Sequence, residues 1–208
     1  MVEFIEINDT ETREFEEAIS IYIESISAAE RQRKDVIKNR VASKKERMII
    51  GRQDAKIVMV SLLWPLQGTE YILIDYMAVK KSYRSQGIGT SFLRNIFQLS
   101  GVNDKGFILE VEDPRYGDKE IRHRRVKFYK RNGAKELSNV KYMVPPLEGD
   151  TPTKMIIMVL FSQHKDKMSG KLVKKLLLQI YEELYGRSQN DPLLNSFIHT
   201  IPSEVELV

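Results

Sequence analysis

The chain has 208 residues, of which 42% are hydrophobic and 30% are charged, and its formal net charge is +4 at pH 7. These fractions are those of an ordinary globular protein, and they exclude a largely disordered chain. Basic residues are interleaved with acidic ones almost everywhere instead of forming one patch, which disfavours a nucleic-acid-binding protein.

The residue types that hold metals or form disulfides are scarce. The sequence contains no cysteine, which excludes disulfides, thiolate zinc sites and a cysteine nucleophile. His123, His164 and His199 are scattered, so we expect no metal site. The acidic N-terminal segment lacks signal-peptide features, and no apolar run reaches the ~18 residues that span a bilayer. We therefore expect a cytoplasmic protein with no membrane or nucleic-acid partner.

The first half of the chain predicts a strand, two helices and three further strands. Residues 1–7 alternate enough to form an opening strand. Apolar residues from Phe15 to Ile26 are spaced for one helical face, and a more polar helix is expected over residues 29–45. The runs RMIIGR, KIVMVSLLW and YILIDYMAV then predict three strands joined by short turns.

The second half predicts alternating helices and strands. A helix follows the turn RSQGIG and is expected to end at Gly101. A strand GFILEVE and a charged helix come next, followed by strands near residues 135–144 and 154–161. Ser169 is a candidate cap for a long amphipathic helix, and Asp191 begins a short final one. The order predicts a mixed α/β or α+β domain with a mostly antiparallel first half.

The turn RSQGIG, residues 84–89, places two glycines immediately before a helix. Glycine has no Cβ to keep a ligand away from the backbone, and a helix N-terminus presents free N–H groups to phosphate oxygens. A P-loop is excluded because no Gly-Lys-Ser/Thr closes the turn, and a dinucleotide fingerprint has a third glycine that is absent here. The turn is thus either an anion site or an ordinary strand-to-helix connection.

Two motifs of the chain resemble those of the GNAT superfamily of acyl-CoA-dependent N-acetyltransferases. Residues 84–89 match the family's Arg/Gln-x-x-Gly-x-Gly/Ala pyrophosphate loop, which lies between the fourth strand and the third helix. Later in the chain, Phe128, Tyr129 and Gly133 match the family's second motif at the right spacing. Ala134 departs from that motif, which has an aromatic residue after the glycine.

The resemblance covers roughly residues 1–161 and implies a GNAT fold. That fold has a mixed, mostly antiparallel central sheet, splayed between the fourth and fifth strands, with helices on both faces. We expect a GNAT domain over residues 1–165 and a C-terminal helical extension over residues 166–208 that packs on the same domain. The apolar stripe from Leu172 to Leu184 requires such packing or a homodimer contact, so a monomer or a homodimer is expected.

The resemblance also implies that acetyl-CoA binds to the fourth strand and to the glycine turn. The strand's backbone would hold the pantetheine arm, and the turn would hold the pyrophosphate. Two arginines stand where the family often has Asn and Ala; they either face the 3′-phosphate of coenzyme A or form a solvated helix face. The cofactor-binding residues predicted in this way are Met77, Ala78, Val79, Arg84, Ser85, Gln86, Gly87, Ile88, Gly89, Thr90, Arg122 and Arg125.

The reaction implied by the resemblance is direct attack of an acceptor amine on the acetyl thioester. Tyr129 occupies the family position of the acid that protonates the leaving sulfur, although packing on the sheet is an alternative role. Glu110 is the favoured base. Glu112, on the same strand face, and Asp75, on the fourth strand, are alternatives, and the acids could instead form a salt-bridge network with the two arginines.

We therefore expect an N-acetyltransferase that acts on a primary amine. The alternative is a non-catalytic acyl-CoA-binding sensor or structural module of the same fold. Residues 19–40 and 145–153 are expected to line the acceptor groove. Their mixed composition leaves small amines, polyamines, amino-sugars and protein amines as possible acceptors.

Overall fold

The structure is a computed structural model that describes residues 2–99, 106–147 and 150–208. The predicted helix end at Gly101 lies outside the described residues, as does part of the predicted acceptor loop. The chain divides into two compact units, which comprise Met1–Pro65 with Ile72–Asn103 and Leu66–Tyr71 with Asp104–Val208. Among the described helices, none combines the length and the apolar character that crossing a membrane requires.

The first unit is an antiparallel meander with helices. Its elements are β1 (Glu3–Ile7), α1 (Arg13–Ser25), α2 (Lys34–Ala42), β2 (Arg47–Gln53), β3 (Lys56–Pro65), β4 (Tyr71–Val79) and α3 (Ile88–Leu99). Each of β1 to β4 pairs antiparallel with the next strand. The hydroxyl of Thr12 accepts the Phe15 N–H at 3.3 Å and so caps α1. Phe15, Ala18 and Tyr22 on the inner face of α1 are completely buried in the core of this unit.

Two details of the first unit differ from the sequence-based expectation. The second helix is shorter than residues 29–45, because Arg33 at its N-cap is extended and Lys44, with φ +58°, turns the chain away after its end. In β4, Asp75 is an extra residue: Tyr76 pairs with Leu62 and Ile74 pairs with Leu63, which leaves Asp75 in a β-bulge. Such bulges bend a strand and redirect its side chains.

The second unit is built around one long strand. Its elements are β5 (Gly106–Glu112), α4 (Lys119–Arg131), β6 (Lys135–Glu136), β7 (Tyr142–Val144), β8 (Thr153–Leu160), β9 (Lys167–Ser169), α5 (Gly170–Gln179), α6 (Pro192–Ile198) and β10 (Glu204–Glu206). β8 pairs antiparallel with β5, β6 and β7, and β9 pairs with β10. The single strand expected near residues 135–144 is two short strands, because Asn139 turns the chain between them with φ +59°.

The C-terminal helices bury the apolar stripe predicted between Leu172 and Leu184. A π-helical turn, Ile180–Leu184, continues α5 without a break. The inward-facing residues of α5 and of this turn are almost fully buried; they are Val173, Leu176, Leu177, Ile180, Tyr181 and Leu184. Contacts of α5 with α6, β9 and β10 cover these residues inside the second unit. The stripe is therefore part of this unit's own core.

The start of α5 depends on a close backbone contact and not on the predicted Ser169 cap. Ser169 stands at the N-cap position, but its side chain makes no capping hydrogen bond. Instead, the Gly170 N–H donates to the Ser203 carbonyl at 2.7 Å. An ideal Cβ at Gly170 would lie 1.7 Å from the carbonyl oxygen of Pro202. Only glycine lets these two backbone segments approach so closely.

We therefore expect Gly170→Ala to destabilise the protein by about 2 kcal/mol, although alanine is normally the better helix former. The clash is with backbone, so side-chain movement cannot relieve it. Lys171→Ala, at the next and exposed position, is the control and should change stability by less than about 0.5 kcal/mol. Urea unfolding of both variants measures the difference, and equal stabilities would show that the 202–203 segment moves away freely.

Candidate active site

The glycine turn forms the N-terminus of α3. Gly87 has φ +79°, and its carbonyl accepts the Ser91 N–H at 2.8 Å, so Gly87 is the N-cap residue of the helix. The N–H groups of the next three residues, Ile88, Gly89 and Thr90, have no acceptor inside the helix. Gly87 is exposed, and an ideal Cβ there would meet no atom within 4 Å. The turn thus presents backbone donors and the positive end of a helix dipole to open space.

Arg84 ties this turn to its own unit. Its Nε donates to the Val79 carbonyl at 3.0 Å, at the end of β4, and its Nη2 donates to the Ser25 hydroxyl at 3.2 Å. Its side chain is nevertheless exposed, so a positive charge stays at the entry of the turn. Ser85 has φ +63°, which makes two left-handed residues between β4 and α3.

The predicted residues of the fourth strand run directly into this turn. Met77, Ala78 and Val79 are the last residues of β4, and they pair with β3 in regular antiparallel register. Ala78 is 5% exposed, while its two neighbours are half-buried. The first unit therefore brings the whole predicted segment from Met77 to Thr90 into one continuous strand, turn and helix start.

Asp75, one of the alternative bases, lies in a buried charge cluster of the first unit. Arg40 Nη1 lies 3.7 Å from Asp75 Oδ2 and 4.0 Å from Glu46 Oε2. The carboxylate side chains are 7% and 0% exposed. Burial and the neighbouring Glu46 raise the pKa of Asp75, and the charge of Arg40 only partly opposes this. Burial likewise raises the pKa of Glu46, against its hydrogen bond with Asp75 and the charge of Arg40.

In the second unit, α4 is attached to the end of β5 by ion pairs. Arg122 Nη2 lies 2.6 Å from Glu112 Oε1, and Arg125 Nη1 binds Glu112 Oε2. Arg122 also donates to the Tyr116 carbonyl at 2.9 Å. Gly117 makes this possible, because a Cβ at that position would lie 2.6 Å from the guanidinium carbon. The salt-bridge network is thus present, and Glu112 engages both arginines that were predicted to contact coenzyme A.

Glu110 has a different environment, although it lies on the same strand face as Glu112. The hydroxyl of Tyr142, in β7, donates to Glu110 Oε1. The hydroxyl of Tyr185, just beyond the π-helical turn, donates to Glu110 Oε2 at 2.8 Å. The favoured base is therefore a carboxylate with one phenol donor on each oxygen.

Tyr129 lies on α4 and is 9% exposed. Its ring packs edge-on against Phe128 with the ring centres 5.2 Å apart. Burial raises the pKa of Tyr129, and the positive charge of Arg125 opposes the rise only in part. The phenol consequently stays protonated throughout the neutral range, which a proton donor requires. Among the described residues, no three His, Asp or Glu side chains gather as a metal site would.

Comparison with known proteins shows which family this arrangement resembles. Residues 44–133 match the family model described as an acetyltransferase (GNAT) domain, a segment that contains both the glycine turn and Tyr129. The GNAT resemblance is confirmed. No curated protein sequence matches the chain significantly.

Solved structures with the same fold are GNAT acetyltransferases of bacteria. A candidate GNAT-family acetyltransferase of Bacteroides thetaiotaomicron aligns with TM-score 0.75 and 20% identity, over 89% of this chain and 99% of its own. The ribosomal-protein-S18-alanine N-acetyltransferase of Escherichia coli aligns with TM-score 0.59 and 16% identity, over 79% and 96%. A GNAT acetyltransferase of Elizabethkingia anophelis with acetyl-CoA bound aligns with TM-score 0.53 and 14% identity, over 77% and 97%. The predicted GNAT fold is therefore also confirmed, while the splay between the fourth and fifth strands stays a prediction.

Sequence reasoning missed the residues that surround the candidate bases of this chain. Tyr142 and Tyr185 lie 32 and 75 residues after Glu110, and no local pattern connects them with it. Arg40 and Glu46 were likewise not linked with Asp75. Tyr181 and Tyr185 lie four residues apart near the C-terminus, and that spacing does not indicate a partner on β5.

The buried acid cluster predicts an unusual pH dependence of stability. Folded Asp75 keeps its proton to higher pH than the unfolded chain does, so the folded state binds more protons between the two pKa values. Stability should therefore fall as the pH rises through that interval above the usual carboxyl range. Asp75→Asn, which cannot ionise, should make this fall smaller; denaturant unfolding between pH 4 and 8 measures it.

Asp113→Asn is the control with the opposite sign. Burial alone would raise the pKa of Asp113, but hydrogen bonds from Arg115 and its charge outweigh burial and lower it. The stabilisation from Asp113 is then lost only as the pH falls through the lowered pKa. Asp113→Asn should thus change the stability at acidic pH and leave the dependence of stability on pH unaltered above about pH 5. If stability falls with rising pH as steeply in Asp75→Asn as in the wild type, Asp75 does not retain a proton in the folded state.

Proposed function

We propose that the protein is an acetyl-CoA-dependent N-acetyltransferase that acts on a primary amine. Gly87 carries the proposal: it caps α3 with φ +79° in a turn that matches the pyrophosphate loop of the family. The family model matches the surrounding residues 44–133. A protein of the same fold has acetyl-CoA bound, and another is an N-acetyltransferase, which supports the choice of cosubstrate and reaction. A cytoplasmic location remains our expectation.

The first unit supplies the binding of coenzyme A in this proposal. The N–H groups of Ile88, Gly89 and Thr90 donate to the pyrophosphate, and the helix dipole adds a favourable field. Arg84 contributes a positive charge at the entry of the turn, which its bonds to Val79 and Ser25 hold in place. The backbone of β4 binds the pantetheine arm.

The second unit supplies the proton transfers. Acetyl-CoA provides an acetyl thioester, which is an activated acyl donor. Glu110 accepts the proton that the acceptor ammonium must lose before its nitrogen can form a bond to the acetyl carbon. Tyr129 gives its proton to the sulfur as the carbon–sulfur bond breaks, and it regains a proton from solvent. Tyr129 is protonated in the neutral range, as a proton donor must be.

A non-catalytic acyl-CoA-binding module is the second candidate function. Arg122 favours it to a degree, because it replaces the Asn common in the family and is bonded to Glu112 and the Tyr116 carbonyl. Such a module needs the glycine turn but no proton donor. The turn and Tyr129 therefore separate the two functions in experiments.

Gly87→Ala should weaken coenzyme A binding about tenfold, or about 1.4 kcal/mol. The added methyl group would occupy open space at the turn and strain the left-handed backbone. Gly186→Ala is the matched control, since Gly186 has φ +62°, is exposed and also has open space at its Cβ position. Both variants should lose similar stability. Calorimetry measures the affinity. Equal coenzyme A affinity in the two variants would show that Gly87 belongs to an ordinary turn and does not contribute to binding.

Tyr129→Phe should lower kcat between ten- and a thousandfold and change coenzyme A affinity less than about threefold. Phenylalanine keeps the packing and removes only the proton. Tyr71→Phe is the matched control, because Tyr71 is also 9% exposed, and burial also raises its pKa. The assay is thiol release from acetyl-CoA with a panel of amines. A wild-type kcat in Tyr129→Phe, with chemistry rate-limiting, would assign the proton to another group, and tight binding without any turnover would favour the binding module.

A further inference from the structure

The C-terminal segment reaches the strand that carries the predicted base. Tyr185, which follows α5 and its π-helical turn, donates to Glu110 Oε2 at 2.8 Å. Tyr142, in β7, donates to Glu110 Oε1. Both tyrosines lie outside residues 44–133, the segment that matches the family model. Both phenol donors to Glu110 thus come from parts of this chain outside the segment that matches the family model.

These two hydrogen bonds leave Glu110 able to accept a proton. A carboxylate offers about four lone-pair sites on its two oxygens, so one phenol donor on each oxygen does not by itself saturate it. The same bonds restrict rotation of the carboxylate plane. Hydrogen bonds to an ionised carboxylate favour the ionised form, which is the form that acts as a base.

An aromatic cluster holds the two donors in place. The ring of Tyr142 packs edge-on against Phe197, with centres 5.5 Å apart, and Tyr181 packs against Tyr185 at 5.9 Å. Tyr142, Tyr181 and Phe197 are at most 2% exposed. The Tyr181 hydroxyl donates to the Met143 carbonyl and therefore lies in the same cluster without bonding to Glu110.

Three neighbours of Glu110 bear on the charge around it. On its own strand, Glu112 is paired with the arginines of α4. On β8, the residue opposite Glu110 is Ile157, which carries no charge. Tyr181 is close enough that Glu110 contributes to raising its pKa, although burial is the larger cause and Asp191 and Arg187 also act on it. Tyr142 and Tyr185 thus each donate a hydrogen bond to this carboxylate.

We propose that Tyr185, together with Tyr142, positions Glu110 as the base for the acceptor amine, so that the C-terminal segment is part of the acetyl-transfer machinery. This inference rests on the proposed function. Tyr185 acts through Glu110 and is a positioning residue. Its loss should change the ionisation of Glu110 and leave coenzyme A binding intact.

The pH dependence of kcat/KM tests the proposal. Removing a charge-assisted donor raises the pKa of a carboxylate, so the acid limb of the profile should move up by about one pH unit in Tyr185→Phe. Glu110→Gln should abolish that limb and lower kcat at least tenfold. Tyr181→Phe is the matched control, because it removes a hydroxyl of the same cluster that bonds to a backbone carbonyl, and its limb should stay within about 0.3 unit of wild type.

Direct titration of Glu110 makes the result independent of the acceptor. In protein labelled with ¹³C at glutamate carboxyls, with Glu110→Gln to assign the signal, the Glu110 pKa should be about one unit higher in Tyr185→Phe than in wild type. An unshifted pKa, or an equal shift in Tyr181→Phe, overturns the proposal. If no amine is turned over, the proposed function fails by itself, and the titration still decides whether Tyr185 controls the ionisation of Glu110.

Discussion

The second unit depends on how a nearly buried carboxylate, Glu112, is neutralised. Two guanidinium groups of α4 meet its two oxygens, which fixes that helix against the end of β5. Removing one partner of such a pair leaves a charge in a poorly solvated place and typically costs about 3–5 kcal/mol. Tyr129 lies on the same helix, one turn beyond Arg125, so the position of the phenol depends on these ion pairs. Arginines that depart from the family pattern thus have a structural reason in this chain.

The first unit also contains buried carboxylates, but their charge is neutralised in a different way. Asp75 and Glu46 are both buried beside the single positive charge of Arg40, and a retained proton avoids two negative charges in the core. Asp75 lies in the β-bulge, where its side chain departs from the alternation of β4. A chain that only needed a stable core would have an apolar residue here. The cluster therefore identifies a part of the first unit that has a constraint beyond packing.

The sequence predicted what local chemistry determines and failed where distant segments meet. The glycine turn could be recognised, since a helix start with a glycine cap is specified by a few adjacent residues such as Gly87 and Ser91. Most strands followed from alternation, and the apolar stripe of α5 from its helical spacing. The bulge at Asp75 could not be predicted, because it is a property of the pairing between two strands. The donors to Glu110 lie in other elements and only the folded chain brings them together.

The bond between Glu110 and Tyr185 also has a consequence for the order of folding. The two residues are 75 positions apart, so this contact closes one of the long loops of the second unit. Loop closure of that length has to be compensated by other contacts before the bond is stable, and long-range contacts form late. During synthesis, β5 leaves the ribosome well before Tyr185 has been translated. A nascent chain that already has its other strands therefore still lacks one of the two phenol donors to Glu110.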